Sequence, residues 1–391
     1  MNDAVPAPSR PVVAHVISAY LFGTGSWIYP QVARLKRFRS TVLAVRVENL
    51  DVFPIDSLHV ASPRWAPGPL NSVMYRIAGY LPAHRRALRR EGAKLIHAHF
   101  GTTGYQEGLP LARASGLPLV TSFYGMDATR LPKTQPRWRA RYQRLFARGS
   151  LFLAEGQAMR STLIALGCPP NKAVVQHLGV DVDRIAYRER TPGERVRVLV
   201  AGTFTEKKGI EYAVEAFARV AQERSDIDLT VVGDAHAGSP AHAVVKQRIM
   251  DVVREYDIAR RVRFTGMLPY PTLLNLLYEH DVFLAPSVTA ADGDAEGGAP
   301  VIIIEALASG MPVLTTRHCD IPEIVHDGVS GFTVAERDVS ALADRLRELA
   351  ASPELRTGMA RAGRMHVESE YSVCRQVDRL EALYAGLLNA S

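Results

Sequence analysis

Residues Asp292–Thr316, DGDAEGGAPVIIIEALASGMPVLTT, decide how the rest of the chain is read. Gly297 and Gly298 let a backbone loop approach a ligand closely, Pro300 suits a first helical turn, and the helix that follows starts with unpaired amide N–H groups. Such a loop and helix start form an anion site. Glu305 stands five residues beyond Pro300, which at about 1.5 Å per residue puts it roughly 7–8 Å along the helix. That spacing brings a carboxylate to a ribose when a diphosphate sits at the helix start. Burying an unpaired carboxylate among apolar neighbours is costly, so Glu305 calls for a ligand or a cationic partner.

Outward from this stretch, short β-branched runs alternate with amphipathic helical segments, the rhythm of parallel βαβ units. Strands are expected at 11–18, 41–47, 94–100, 117–123, 150–154 and 173–178, which complete one domain. After the polar stretch Arg188–Glu194 the series restarts with RVRVLVAGTF, DLTVVGD, RVRFTG, DVFLAPS, MPVLTT and GFTVAE. The expected fold is therefore α/β with two Rossmann-like doubly wound domains, residues 1–190 and 191–370, and a linker near 185–195. Residues 371–391 form a terminal helix, with Val373, Val377, Leu380, Tyr384 and Leu387 at helical spacing; it either crosses back to the first domain or packs as an ordinary helix.

Composition fits this organisation. A chain of 391 residues has room for two α/β domains, and 47% hydrophobic with 22% charged residues is that of a soluble globular protein. No apolar run approaches the roughly 20 residues that span a bilayer, and the Pro-rich start lacks a signal-peptide pattern. Cys168, Cys319 and Cys374 have neither metal-type spacing nor a disulfide framework, which fits a reducing cytoplasm. Residues 1–190 carry 26 Lys and Arg against 11 Asp and Glu, a balance of +15, whereas the remainder carries 21 against 29, a balance of −8. Arginines cluster over Arg76–Arg90 and Arg137–Arg148, interleaved with Tyr75, Tyr80, Leu88, Trp138, Tyr142, Leu145 and Phe146. Such a surface suits anionic lipid or phosphate, or is simply a solvated helix face. No nucleic-acid recognition motif accompanies the charge.

A second phosphate-type turn, Gly202–Gly209 (GTFTEKKG), follows an apolar strand and opens a helix, with Lys207 or Lys208 as a cation and plain surface lysines as the alternative. Gly23 and Gly25 follow the first strand, where a doubly wound sheet binds ligands. GTG falls short of the dinucleotide fingerprint and no acidic residue stands at the right distance, which argues against a nicotinamide site.

Taken together, VLVAGTFTEKKGIEYAVEAF, RVRFTGMLPYPTLLNLLYEHDVFLAPS, EGGAPVIIIEALASGMPVLTT and DIPEIVHDGVSGFTV resemble the retaining glycosyltransferases of family 4, with IHAHFG and VTSFYGMDA similar to the colanic-acid-type exopolysaccharide subgroup. The resemblance implies the GT-B architecture, two Rossmann-like domains facing across a cleft. By resemblance, Lys208 holds the donor diphosphate, Glu305 binds ribose hydroxyls, and Glu296 faces the donor sugar, with Gly297, Gly298 and Ala299 supplying backbone. Gly23 and Gly25 sit where the first loop approaches phosphate and acceptor. Asp127 closes the TSFYG loop. Three departures stand out. Glu296 and Glu305 are nine positions apart, one more than is usual in the family, so a neighbour such as Asp294 competes with Glu296 for the sugar. Thr203, placed with the donor-binding residues, stands where arginine is common, which shifts phosphate neutralisation onto Lys208 or an arginine from elsewhere. Tyr124 replaces a frequent site histidine, which leaves His99 as the polar group of the first domain, either catalytic or capping a buried network.

The expected activity is transfer of a hexose from a UDP- or GDP-sugar to an acceptor hydroxyl with retention of configuration, using His99, Lys208 and Glu296 and no metal. The acceptor is a glycan or lipid-linked glycan for a cell-surface polymer, and the protein is cytoplasmic, at the inner membrane face where it touches anionic lipid. Asp292 and Asp294 read as a solvated loop, not as an Asp-x-Asp metal site. The rival readings are an epimerase or phosphorylase on the same fold, and a non-catalytic nucleotide-sugar-binding or membrane-scaffold protein.

Overall fold

The computed structural model describes residues 10–21, 27–61 and 79–389. Gly23, Gly25, Tyr75 and Arg76 lie outside the described residues. The chain forms two compact units: Met1–Glu155 with Arg160–Gly179 and Val373–Ser391, and Gly156–Met159 with Val180–Ser372.

The first unit is built on a parallel sheet of β1 (Val12–Tyr20), β2 (Arg39–Val47), β3 (Leu58–Val60), β4 (Ala93–His99), β5 (Leu119–Ser122), β6 (Leu151–Ala154) and β7 (Ala173–Val175), in the order β3-β2-β1-β4-β5-β6-β7. Strands such as β5 and β6 are buried along their whole length, which is why they read as continuous apolar runs. The strand missing from the sequence reading is β3. It has only three residues, all at least partly exposed, and it lies on the sheet edge, where no apolar periodicity is required.

The helix Val373–Asn389 belongs to this unit. Val373, Val377, Leu380 and Tyr384 are buried with Val13, Leu35, Phe38, Leu95 and Val120. Glu381, fully buried, accepts the N–H groups of Lys36 (2.7 Å), Arg37 (2.6 Å) and Phe38 (3.2 Å), and also the Arg37 Nε–H (3.2 Å). A carboxylate thereby satisfies three backbone donors of the turn ahead of β2. The Tyr384 hydroxyl reaches His97 Nδ1 at 2.6 Å, which ties the same helix to β4.

The second unit carries β8 (Val196–Ala201), β9 (Ile227–Val232), β10 (Val262–Gly266), β11 (Val282–Ala285), β12 (Val313–Thr316) and β13 (Gly331–Val334), parallel, in the order β10-β9-β8-β11-β12-β13. Residues expected to begin a linker are part of its body. Ile185 packs with Leu199 and Ile304, and the Arg190 guanidinium donates to the carbonyls of His280 (3.0 Å), Ser309 (2.8 Å) and Leu277. In both units the strand order reverses once, at β1/β4 and at β8/β11, and a doubly wound sheet places its ligand site beyond the strand ends at such a reversal.

Replacing Glu381 with Ala removes the acceptor of three backbone amides, of which only that of Phe38 lies in a buried residue, together with the Arg37 ion pair, so it should cost about 3 kcal/mol of stability. Denaturant unfolding followed by the fluorescence of Trp27 and Trp138 would measure it. A loss below about 1 kcal/mol would show that water takes over those amides.

Candidate functional site

In the second unit the register Val198↔Val282 and Leu199↔Phe283 sets the carboxyl ends of β8 and β11 side by side. The turn after β8 ends in the single helical turn Glu206–Lys208, and Gly209 (φ +60°) opens the helix Ile210–Glu223. A Cβ on Gly209 would stand 2.0 Å from the Pro286 carbonyl oxygen, so both its conformation and the space around it demand glycine. The Val288 N–H donates to the Lys207 carbonyl at 2.8 Å and locks the two turns together.

This contact delivers Lys208 to Glu296. The ammonium lies 2.8 and 3.0 Å from the two carboxylate oxygens, and the Ser287 hydroxyl donates to the same carboxylate at 2.9 Å. Lys207 reaches Asp294 (3.3 Å) and the Ala295 carbonyl (3.4 Å). Burial alone would raise the Glu296 carboxyl; the charges of Lys208 and Lys207 and the hydrogen bonds from Lys208 and Ser287 outweigh it and hold the group below its ordinary value. Of the two carboxylates left open by the extra loop residue, Glu296 is thus the one paired with Lys208, and Asp294 goes with Lys207. Thr203 is half-buried in the turn, its carbonyl accepting the Thr205 N–H at 2.7 Å. Gly297 (φ +86°), Gly298 and Ala299 carry the chain to Pro300 and the helix Val301–Ser309.

Glu305 is 5% exposed on that helix. Its partner is the hydroxyl of Tyr270, which donates to Oε1 from the first residue of the helix after β10. The Arg184 guanidinium lies 5.8 Å from the Tyr270 ring centre. Burial pushes the Glu305 carboxyl up to about 7, against the Tyr270 hydrogen bond and the Arg184 charge. The expected cationic partner therefore acts at second hand, through a phenol. Tyr270 and Ser287 reach the site from the ends of β10 and β11 and Arg184 from the segment between β7 and β8, and nothing in the local sequence pattern of any of them marks it.

In the first unit His99 is fully buried at the end of β4, with Nδ1 on the Tyr124 hydroxyl (2.7 Å) and Nε2 on His15 Nδ1 (3.0 Å). Burial, then the neighbouring His97 and His15, hold its value far below normal, so the ring is neutral. Asp127 accepts the N–H groups of Gly101 (2.7 Å) and Tyr124 (3.0 Å), and burial raises its carboxyl to about 6 against those bonds. Among the described residues, His15, His97 and His99 form the one group of three whose ring nitrogens, within 4.8 Å of one another, could hold a metal ion. Five of the six nitrogens already have partners, since His97 also binds Tyr384 and Ser122. Only His15 Nε2 is unpartnered, and the cluster is a hydrogen-bonded core network.

Comparison with known proteins agrees with this layout. The model for glycosyl transferases group 1 matches residues 181–366, and the model for glycosyltransferase family 4 matches residues 30–184. The chain is 33% identical over 261 residues, 66% of its length, to the putative colanic acid biosynthesis glycosyltransferase WcaL of Salmonella typhimurium. It is 32% identical over 254 residues, 65% of its length, to the amylovoran biosynthesis glycosyltransferase AmsK of Erwinia amylovora. These matches span 61% and 60% of the two relatives. Among solved structures, sucrose-phosphate synthase of Thermosynechococcus elongatus (TM-score 0.76, 18% identity, 98% of this chain and 100% of that one) shares the fold. So does Anabaena HepE in complex with UDP and glucose (TM-score 0.76, 17% identity, 96% of this chain and 100% of that one). With family matches running from residue 30 to residue 366 over two doubly wound units, the chain belongs to the family 4 glycosyltransferases of GT-B architecture.

Proposed function

We propose that this protein transfers a hexose from a UDP- or GDP-sugar to a hydroxyl of a glycan or lipid-linked acceptor, with retention of configuration and without a metal ion, in the synthesis of an exopolysaccharide or related cell-surface glycan. One observation carries the reading: Lys208 and Glu296 meet at the β8/β11 reversal, beside a glycine loop that runs into a helix start. As the bond to the anomeric carbon breaks, charge accumulates on the leaving nucleoside diphosphate. Lys208, the amides at the start of the helix Val301–Ser309 and the nearby Thr203 turn stabilise that charge. A lysine at the phosphate supplies the countercharge that a divalent cation would otherwise provide. Glu296, released from Lys208 by the diphosphate, orients the hexose hydroxyls, and Gly297, Gly298 and Ala299 allow close approach. Glu305 exchanges its Tyr270 partner for the ribose hydroxyls. In the first unit Tyr124 is the polar group beside the acceptor, with His99 positioning it from behind. The relatives named for colanic acid and amylovoran biosynthesis support the polymer class, and HepE, solved with UDP, supports the nucleotide.

Attachment to the inner face of an anionic membrane forms part of this reading. In the helix Arg137–Arg148 the residues Trp138, Tyr142, Leu145 and Phe146 are buried, which leaves exposed arginines for purely electrostatic contact. Arg144 and Arg148 join Arg113 and Tyr105 around an open groove of about 760 Å³. Among the described residues no helix is long and apolar enough to cross a membrane.

Three outcomes follow. First, Glu305→Gln should weaken UDP or GDP binding by roughly 1.5–3 kcal/mol and raise KM, whereas Glu296→Gln should lower kcat with little change in nucleotide affinity. Calorimetry and product analysis with EDTA present check both effects, and failure of either nucleotide to bind would end the donor-site assignment. Second, a carboxyl raised from 4.5 to about 7 in the native state contributes stability that is complete below its unfolded value and is lost as pH rises through its folded one. Between about pH 5 and pH 8 the unliganded wild type should therefore lose more stability than Glu305→Gln does; parallel pH curves for the two proteins would contradict the burial argument. Third, acidic liposomes should pellet the protein at low salt and release it as salt shortens the Debye length. Equal recovery with neutral liposomes would favour a soluble acceptor.

A further inference from the structure

The loop from Ser287 to Pro300 carries Glu296, and its course is set by two side chains outside it. His318 follows β12 and Glu336 follows β13. His318 is 1% exposed, and its Nδ1 meets Glu336 Oε1 at 2.6 Å. Because a carboxylate there accepts, Nδ1 carries the proton and Nε2 is left as an acceptor, which the Glu296 N–H uses at 3.2 Å. The same Glu336 accepts the N–H of Thr289 (2.9 Å) and its hydroxyl (3.3 Å). One imidazole–carboxylate pair therefore grips the loop at both limbs, Thr289 where it leaves β11 and Glu296 where it enters the glycines. Cys319, at φ +46°, sets its thiol 3.2 Å from His318 Nε2. Among the described bonds the pair touches neither Lys208, Glu305 nor the helix Val301–Ser309, and Glu296 is the candidate site residue that it holds directly.

We propose that His318 and Glu336 are positioning residues for transfer: the hydrogen-bonded chain Glu336–His318–Glu296 N–H fixes the Glu296 carboxylate where it meets Lys208 and, on the donor reading above, the transferred sugar. This rests on that reading only in its kinetic consequence. The brace itself is a property of the unliganded protein.

Both parts are tested with His318→Leu, which removes the acceptor, and His318→Gln, whose amide oxygen can reach the Nε2 position and accept the Glu296 N–H. Hydrogen exchange without nucleotide should be faster in the peptide covering residues 288–297 of His318→Leu, and restored toward wild type in His318→Gln. In turnover His318→Leu should lose on the order of 10- to 100-fold in kcat, the scale of a misplaced reacting group, while UDP or GDP affinity stays within about twofold. His318→Gln should recover most of the loss. Since His318 acts through Glu296, combining His318→Leu with Glu296→Gln should be no worse than Glu296→Gln alone. Should His318→Leu fail to fold, Glu336→Gln against His318→Gln makes the same comparison, with the larger kcat loss and the faster exchange expected in Glu336→Gln. Unchanged exchange at 288–297 overturns the brace. Parallel losses of kcat and nucleotide affinity, or additive double variants, overturn the positioning role. Faster exchange in a protein that binds neither UDP nor GDP would retain the brace and remove the donor reading instead.

Discussion

The adjacency of β8 and β11 is the constraint on which the second unit's site depends. Two parallel strands that are neighbours in the sheet but separated by β9 and β10 in the chain send their following turns out side by side. The turns touch so closely, at Gly209 and the Pro286 carbonyl, that no side chain fits between them. Lys208 then has one place to go. Its pairing with Glu296 adds little to stability, because desolvating two charges consumes most of what their attraction returns. It does keep both charges compensated, and on the donor reading it leaves an ammonium with a partner that an incoming diphosphate can replace.

The first unit has the same topological reversal, at β1/β4, and fills it differently. His15, His97 and His99 come from those two neighbouring strands, and their rings, held neutral by burial, are joined to the hydroxyls of Ser122, Tyr124 and Tyr384. Net charge misleads here. The half with a balance of +15 holds an uncharged polar network at its strand ends, and the half with a balance of −8 holds the paired lysines. Surface charge sets long-range attraction, while a site is decided by the few groups that are buried with it.

This separation explains what was legible in the sequence. Parallel strands buried on both faces announce themselves as apolar runs, and the glycine turns with Lys208 and Glu305 are local patterns, so the two doubly wound units and the turns at their strand ends could be read directly. β3 could not be, since a three-residue edge strand has no pattern of its own. The partners were also hidden. Tyr270, Ser287, His318 and Glu336 reach the site from four different strand ends, and Glu381 meets its amides more than 340 positions away. Contacts of that kind exist only once strand order is known. The resemblance of residues 185–195 to a linker failed for a related reason: Arg190, polar in the sequence, spends its guanidinium on buried carbonyls.

The two glutamates nine positions apart show how one loop and helix can treat like groups oppositely. Glu296 is buried among two lysines and a serine and is held ionised; Glu305 is buried against a phenol, with its arginine beyond the ring, and titrates near 7. A lysine in place of Tyr270 would have fixed Glu305 as an anion, but would also have competed with any diol for its oxygens. A hydroxyl partner costs less to displace, because a ribose hydroxyl replaces it in kind. Divergent environments for paired carboxylates are the usual sign of divided roles. On the donor reading, the carboxylate near the bond that breaks keeps a fixed charge, and the one that recognises an unreacting sugar keeps an exchangeable partner.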